Sequence, residues 1–106
     1  MSLGKLLENT CRLFPDRIAL IHEAARLTYG EFHQAVNSLG NALRERGIRK
    51  GDKIVIMLPN IPEFVISYFA AQKIGAVAVT INTASTSHEM RYLLGNSEAA
   101  ALITTR

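Results

Sequence analysis

The sequence has a single cysteine, no tryptophan and no glycine-rich phosphate-binding motif. Because Cys11 stands alone, a disulfide within the chain is excluded, and so is a metal site built on several thiolates. The seven glycines never stand two positions apart, which excludes a Gly-x-Gly-x-x-Gly loop, and no Gly-x-x-x-x-Gly-Lys loop is present. These residues therefore encode neither dinucleotide binding nor P-loop chemistry.

Long apolar runs are also missing. Glu63, Gln72 and Lys73 interrupt the most apolar stretch, so no run approaches the roughly 18 residues that cross a bilayer. The first residues lack the basic-then-apolar form of a secretory signal. The sequence predicts a cytoplasmic protein without a transmembrane segment, for which any association with a membrane is peripheral.

The charge of the chain is mildly basic. Of its 106 residues 48% are hydrophobic, which is enough for one small core, and the formal net charge is +3. Five basic residues fall within residues 44–53, interleaved with Glu45 and Asp52. Such a cluster is typical of a solvated helix end and turn, where cations face the negative end of the helix dipole. We do not expect a nucleic-acid partner.

Apolar spacing predicts a short helix over Leu3–Leu13, which the following Phe-Pro-Asp sequence ends. Residues 18–22 and 26–28 are typical of two short strands and predict an N-terminal β-hairpin. The connection between them contains neither Gly nor Asn, so we do not expect a tight two-residue turn. Thr28 and Glu31 have the Thr-x-x-Glu spacing of a capping box, which predicts the start of a second helix.

The middle of the chain predicts a parallel β-α-β unit. Lys53–Leu58 is an apolar, unalternated strand, as in a sheet covered on both faces. Asn60 is the predicted N-cap of a helix over Ile61–Ile74 that is apolar on most of its faces. Gly75 ends this helix, and Ala76–Ile81 returns as the second parallel strand. Because one sheet face cannot cover such a helix, other elements must pack on it, and in residues 1–106 alone we expect part of its apolar surface to stay uncovered.

Residues beyond this unit predict one more helix and strand. Thr86 and Glu89 repeat the capping-box spacing, and Ala100–Thr104 is a third strand. The predicted fold class is α/β: an open, mainly parallel sheet of three strands in β-α-β-α-β order, with flanking helices and a short N-terminal hairpin.

Catalytic chemistry is nearly absent from the sequence. His22, His33 and His88 are scattered and have no metal-ligand spacing, so we interpret them as partly exposed polar residues. Cys11 has no activating neighbour in sequence, which favours a buried, inert thiol over a nucleophile. Glu31 is interpreted as a capping residue. No catalytic residue and no metal ligand is predicted.

One set of short motifs nevertheless runs along nearly the whole chain, from about residue 5 to residue 106. Its members are Phe14-Pro15-Asp16-Arg17-Ile18-Ala19-Leu20, Leu27-Thr28-Tyr29-Gly30-Glu31-Phe32, Gly51-Asp52-Lys53, Leu58-Pro59-Asn60, Pro62-Glu63-Phe64, Gly75-Ala76-Val77, Ile81-Asn82, Tyr92-Leu93-Leu94 and Leu102-Ile103-Thr104. In this order and spacing, they resemble the N-terminal segment of the AMP-forming acyl-CoA synthetases, fatty-acid–CoA ligase-like members of the adenylate-forming enzyme superfamily.

The resemblance implies a two-step reaction in a larger enzyme. A carboxylic acid attacks the α-phosphate of ATP to give an acyl-adenylate and pyrophosphate, and coenzyme A then displaces AMP to form a thioester. It further implies Mg²⁺ on the phosphates, a phosphate loop ending in Lys-Gly and a C-terminal domain that supplies a lysine. None of these parts is found here, so residues 1–106 are predicted to be the N-terminal part of the large adenylate-forming domain, without the phosphate loop or the C-terminal domain.

Three residues are candidates for cofactor binding. Ligands of open parallel sheets gather beyond the carboxyl ends of the strands, where Asn82, Thr83 and Arg106 are predicted to lie. The resemblance implies that the loop after the second strand lies near the coenzyme A channel, and Arg106 would face a phosphate. The alternative, which stays open, is that these side chains satisfy local backbone groups.

Two functions remain. The chain is either the N-terminal segment of an acyl-CoA ligase, inactive alone, or a freestanding α/β binding or interaction module without catalytic activity. In the first case its partners are the remainder of its own polypeptide and the carboxylic acid, and ATP, Mg²⁺ and coenzyme A bind the whole enzyme but not this segment tightly. We expect the isolated segment to form a homo-oligomer.

Overall fold

A computed structural model describes residues 3–59, 61–81 and 99–104. The elements follow one another along the chain as three helices and five strands within these ranges: α1 (Leu3–Leu13), β1 (Ile18–His22), β2 (Ala25–Thr28), α2 (Tyr29–Glu45), β3 (Lys53–Met57), α3 (Pro62–Lys73), β4 (Val77–Thr80) and β5 (Ala101–Thr104). None of the helices in these ranges is long and apolar enough to cross a membrane.

The parallel sheet has the order β4-β3-β5. Ile54 pairs with Ala78 on one side and with Ala101 on the other, and the pairing is parallel throughout. Because β3 is central, Ile54, Val55 and Ile56 are all fully buried, which explains why this strand is apolar without alternation. The three-stranded parallel sheet is confirmed; the helix predicted after Thr86 lies outside the described residues.

Helices α2 and α3 pack against each other; α3 also packs on β3 and β4, and α2 on the hairpin strands. The rings of Phe32 and Phe69 meet edge to face, with centroids 5.8 Å apart. Gly40 lies where α2 approaches α3, next to Ile74. Ile54 and Ile56 of β3 belong to the same core cluster. The hydrophobic core therefore lies between this helix pair and the sheet.

The amino terminus of α2 has the predicted capping box. The backbone N–H of Glu31 donates to the Thr28 hydroxyl at 3.1 Å, and the Thr28 N–H donates to the Glu31 carboxylate at 3.0 Å. By contrast, α3 begins at Pro62 with Ile61 as its N-cap residue and no capping side chain. The predicted N-cap, Asn60, was thus one residue too early and lies outside the described residues. The predicted capping box at Thr86 and Glu89 also lies outside them.

The hairpin of β1 and β2 corrects one expectation. His22 pairs with Ala25, so the loop consists of Glu23 and Ala24 alone. This is the tight turn that the absence of Gly and Asn argued against. Glu23 adopts a φ of 55°, a positive value at the first loop position as in a type II′ turn. The turn forms because a non-glycine residue accepts the left-handed conformation.

Helix α3 is better covered than the sequence predicts. Of its residues only Glu63 and Lys73 are exposed, and its aromatic and branched side chains are all partly buried, because α1, α2 and β1 pack on it together with the sheet. The uncovered apolar side chains lie elsewhere: Val77 and Leu102 on the second sheet face, Ile18 and Ile21 on the hairpin, and Leu6, Leu13 and Phe14 at α1.

Candidate functional site

The carboxyl ends of the three parallel strands form the candidate site. Leu58 follows β3, Ile81 follows β4, and Thr104 ends β5. Because the strands are parallel, all three ends lie at one edge of the sheet, where open α/β sheets bind ligands. Directly after these strand ends come the predicted site residues Asn82, Thr83 and Arg106, all three outside the described residues, so their role stays a prediction.

A groove opens at this edge, with a volume of about 520 Å³. It is lined by side chains from α2, α3, β5 and the segment after β3: Leu39, Leu58, Ile61, Glu63, Ile66, Ser67, Ile103 and Thr104. Pro59 positions the start of α3 here, since its carbonyl accepts the Ile61 N–H at 2.8 Å. The volume lies within the range of small-molecule sites.

The lining of the groove is mostly aliphatic. Glu63 is its one charged side chain among the described residues, and Ser67 is a buried hydroxyl in its wall. Glu63 lies in the first turn of α3, where a carboxylate faces the positive end of the helix dipole. Such a wall can exclude water and contact apolar groups. Among the described residues no hydrogen bond joins the Ser67 hydroxyl to the Glu63 carboxylate, so these two do not form a nucleophile and base pair.

Sequence reasoning missed this groove. Its residues come from four separate segments, and no local motif joins them. The one available signal was the pair of apolar residues, Leu58 and Ile61, that flank the strand-to-helix connection at the edge where ligands were expected. These two residues indicate which edge of the sheet is apolar. They do not predict that a groove forms there.

A second cleft, of about 280 Å³, lies between α1 and α2 and is lined by Glu8, Cys11, Arg12, Gly30 and His33. The thiol of Cys11 is buried at its base, 3% exposed. Burial raises the pKa of Cys11, and the positive charge of Lys73 opposes this only in part. A thiol kept protonated is a weak nucleophile, which agrees with the inert role predicted for Cys11.

Among the described residues, the remaining titratable groups form no reactive cluster. Within the described ranges, no three His, Cys, Asp or Glu side chains are placed to hold a metal ion. His22 lies 3.9 Å from Glu23 on the hairpin, and both are surface groups. The pKa of Glu31 is lowered by the hydrogen bonds with the backbone and then the side chain of Thr28, as its capping role requires.

Known proteins match both the sequence and the fold. YngI of Bacillus subtilis (strain 168), an acyl-CoA synthetase by its name, is 43% identical over 104 residues, which are 96% of this chain and 19% of that protein. The chain thus spans about a fifth of that relative.

Two solved structures share the fold. The N-terminal domain of FACL13 from Mycobacterium tuberculosis, solved with an inhibitor, has a TM-score of 0.92 and 30% identity, covering 97% of this chain and 26% of that one. The Klebsiella oxytoca NpsA N-terminal subdomain in complex with 3-hydroxybenzoyl-AMSN gives a TM-score of 0.91 and 31% identity, with 97% and 26% covered. Both are N-terminal units of their proteins.

The family description AMP-binding enzyme matches residues 7–106, nearly all of the chain. This agrees with the ordered motifs, the parallel sheet and the fold shared with the two N-terminal units. The chain belongs to the AMP-binding enzyme family.

Proposed function

We propose that this chain is the N-terminal segment of an acid–CoA ligase that activates a carboxylic acid, in particular a fatty acid. The acid displaces pyrophosphate from ATP to form an acyl-adenylate, and the thiol of coenzyme A then displaces AMP. The observation that carries the proposal is the match to the AMP-binding family over residues 7–106, together with an acyl-CoA synthetase that is 43% identical.

The role of the segment in that enzyme is structural. It contains no phosphate loop, and its described residues hold no metal-ligand cluster, so other parts of the polypeptide supply the groups that bind ATP and Mg²⁺ and stabilise the charge developing on the phosphates. Residues 1–106 form the N-terminal part of the adenylate-forming domain and are inactive alone. The carboxyl edge of the sheet is the surface that they contribute to the active enzyme.

Asn82, Thr83 and Arg106 are the proposed polar residues of this edge, where they contact coenzyme A at the rim of its channel. Their place in sequence supports this, because they directly follow β4 and β5. The aliphatic groove opens at the same edge of the sheet, between the ends of β3 and β5, and supplies an apolar wall there. An amide and a hydroxyl suit the polar groups of coenzyme A, and a guanidinium suits its phosphates.

The test uses the polypeptide encoded by the whole gene that contains these residues. With ATP, Mg²⁺, coenzyme A and a panel of carboxylic acids, we expect AMP and a thioester in equal amounts for at least one acid. No acid-dependent AMP formation across aliphatic and aromatic acids would contradict the proposal. If the gene encodes no phosphate loop after these residues, the alternative function is favoured, a freestanding α/β binding or interaction module without catalytic activity.

Three substitutions test the proposed contact of these residues with coenzyme A. Asn82→Ala, Thr83→Val and Arg106→Gln are expected to raise KM for coenzyme A while leaving ATP–pyrophosphate exchange unchanged. The matched control is Thr28→Ala, a change at the capping box that is expected to alter neither quantity. Unchanged KM in all three rim variants would show that these side chains satisfy only local backbone groups.

A further inference from the structure

The positive charge of the chain is concentrated at one surface. Arg44, Arg46, Arg49, Lys50 and Lys53, which we name the basic pole, fall within ten residues that also hold Glu45 and Asp52. Five cations against two carboxylates leave +3, which equals the formal net charge of the whole chain. The other 96 residues are therefore balanced in formal charge.

The basic pole lies at the amino-terminal end of the sheet, opposite the candidate site. It comprises the last residues of α2, the turn that follows and the first residue of β3. At this end the Val77 N–H donates to the Asp52 carbonyl and the Ala100 N–H to the Lys53 carbonyl, each at 2.7 Å. A surface docked on the basic pole would leave the carboxyl edge accessible.

The turn that carries the basic pole is fixed by hydrogen bonds. The Asp52 carboxylate accepts the Arg49 N–H at 2.8 Å, and the Asp52 N–H donates to the Arg49 carbonyl at 3.0 Å. The Gly51 N–H donates to the Gly75 carbonyl at 2.9 Å, which ties this turn to the turn after α3. One of the two local carboxylates is thus engaged with backbone, while the cations project from an ordered support.

All five cationic residues of the basic pole are exposed. Among the described residues, no carboxylate lies within ion-pair distance of any of the five side chains. Their charge is therefore available to an external anionic partner, at a range set by the Debye length of about 8 Å at physiological salt.

The composition of the basic pole discriminates between anionic partners. Residues 44–53 contain no aromatic side chain on which nucleic-acid bases could stack. They also contain no exposed large apolar side chain to form the core of a protein interface. The surface of an anionic bilayer requires neither aromatic nor apolar side chains, because each exposed Lys or Arg near anionic lipids adds to the binding free energy. Val77, 47% exposed and paired with Lys53, adds one apolar contact beside the cations.

We propose that the basic pole docks on the surface of a bilayer containing anionic phospholipids. The docking is peripheral and electrostatic, and it turns the carboxyl edge of the sheet away from the lipid. This inference is independent of the proposed ligase reaction.

Vesicle co-sedimentation of the polypeptide encoded by the whole gene is the test. We expect binding to phosphatidylcholine vesicles that contain about one-third phosphatidylglycerol and little binding to phosphatidylcholine alone, with affinity falling as salt rises. Arg49→Gln combined with Lys50→Gln should reduce the partition coefficient by roughly thirtyfold, since each cation contributes roughly fivefold near an anionic surface. The matched control is Arg12→Gln combined with Arg26→Gln, which removes the same charge elsewhere and should reduce binding far less.

Circular dichroism melts establish that each variant is folded, so that lost binding is read as lost docking. The proposal is overturned if the wild-type chain does not bind anionic vesicles, if it binds neutral vesicles equally well, or if the control pair loses as much affinity as the pair in the basic pole. Competition by a short single-stranded RNA that removes the chain from anionic vesicles at equal phosphate concentration would assign the basic pole to nucleic acid and overturn it as well.

Discussion

The aliphatic stem of Lys50 lies directly over Gly75, so closely that a Cβ at position 75 would come within 3.0 Å of the Lys50 Cγ. Gly75 also has a φ of +78°, in the left-handed region that side chains other than glycine rarely adopt. Both the contact and the backbone conformation therefore require glycine where α3 turns into β4.

Replacing Gly75 by Ala should lower the free energy of unfolding by at least about 1 kcal/mol, because the new Cβ is strained by the positive φ and crowds Lys50. Gly40→Ala is the matched control: it lies inside α2, and its Cβ would meet Ile74 Cγ2 at 3.4 Å, an ordinary contact. The control should gain up to about 1 kcal/mol from helix propensity. Urea unfolding measures the free energy of unfolding of both variants. An equal loss of stability in Gly40→Ala would contradict the claim that position 75 specifically requires glycine.

Thr28→Ala removes the hydroxyl that caps α2 and should cost about 1 kcal/mol of stability. Thr10→Ala is the control, because the Thr10 hydroxyl bonds the Leu6 carbonyl inside α1, where alanine is the better helix former. It should change stability little. Loss of activity in the whole-gene enzyme carrying Thr28→Ala, without loss of stability, would show that Thr28 belongs to a functional site.

The lowered pKa of Glu31 predicts a pH dependence. Because the pKa is lower in the folded than in the unfolded chain, the ionised carboxylate stabilises the fold above the unfolded pKa, and this contribution disappears as the pH falls through the folded pKa. Glu31→Gln keeps an oxygen that can accept the Thr28 N–H but removes the titration. We expect the stability advantage of wild type over Glu31→Gln at neutral pH to narrow on acidification; an advantage that stays constant down to strongly acidic pH would contradict this.

The 106-residue chain should associate with itself. Val77 and Leu102 are 47% and 39% exposed on the same face of the sheet, and β4 and β5 are the outer strands of the described sheet. Exposed apolar faces and strand edges promote association. We expect a dimer or larger species in sedimentation at micromolar concentration.

Paired variants locate the surface that drives this association. Val77→Lys with Leu102→Lys should shift the chain toward monomer, whereas Leu6→Lys with Leu13→Lys, at exposed positions of α1, should do so less. If the wild-type chain is a monomer that unfolds cooperatively, its core is complete without a second copy, and the predicted association is wrong.

Sequence patterns predicted the elements wherever local chemistry determines them. The apolar run of β3 and the Thr28 capping box needed no tertiary information, and both are present in the structure. The turn at Glu23 could not be predicted, because the strand pairing on either side imposes a positive φ that the residue itself does not favour. The coverage of α3 was underestimated because α1 and β1, distant in sequence, pack on it.

Of the candidate site, the sequence predicted only the edge of the sheet at which it lies. Parallel strands determine which edge collects their carboxyl ends, so the edge followed from the strand pattern. The groove could not be predicted, because Leu39, Leu58 and Ile103 reach it from three separate segments whose packing is not encoded locally.

The most direct test of the account is acid-dependent ATP–pyrophosphate exchange by the purified 106-residue chain. The chain belongs to the AMP-binding family but contains no phosphate loop, and without such a loop nothing holds ATP for attack by a carboxylate. Exchange should equal that of buffer for every acid tested, while the whole-gene polypeptide is active. Reproducible, acid-dependent exchange by the 106-residue chain alone would contradict the assignment of these residues to a structural segment.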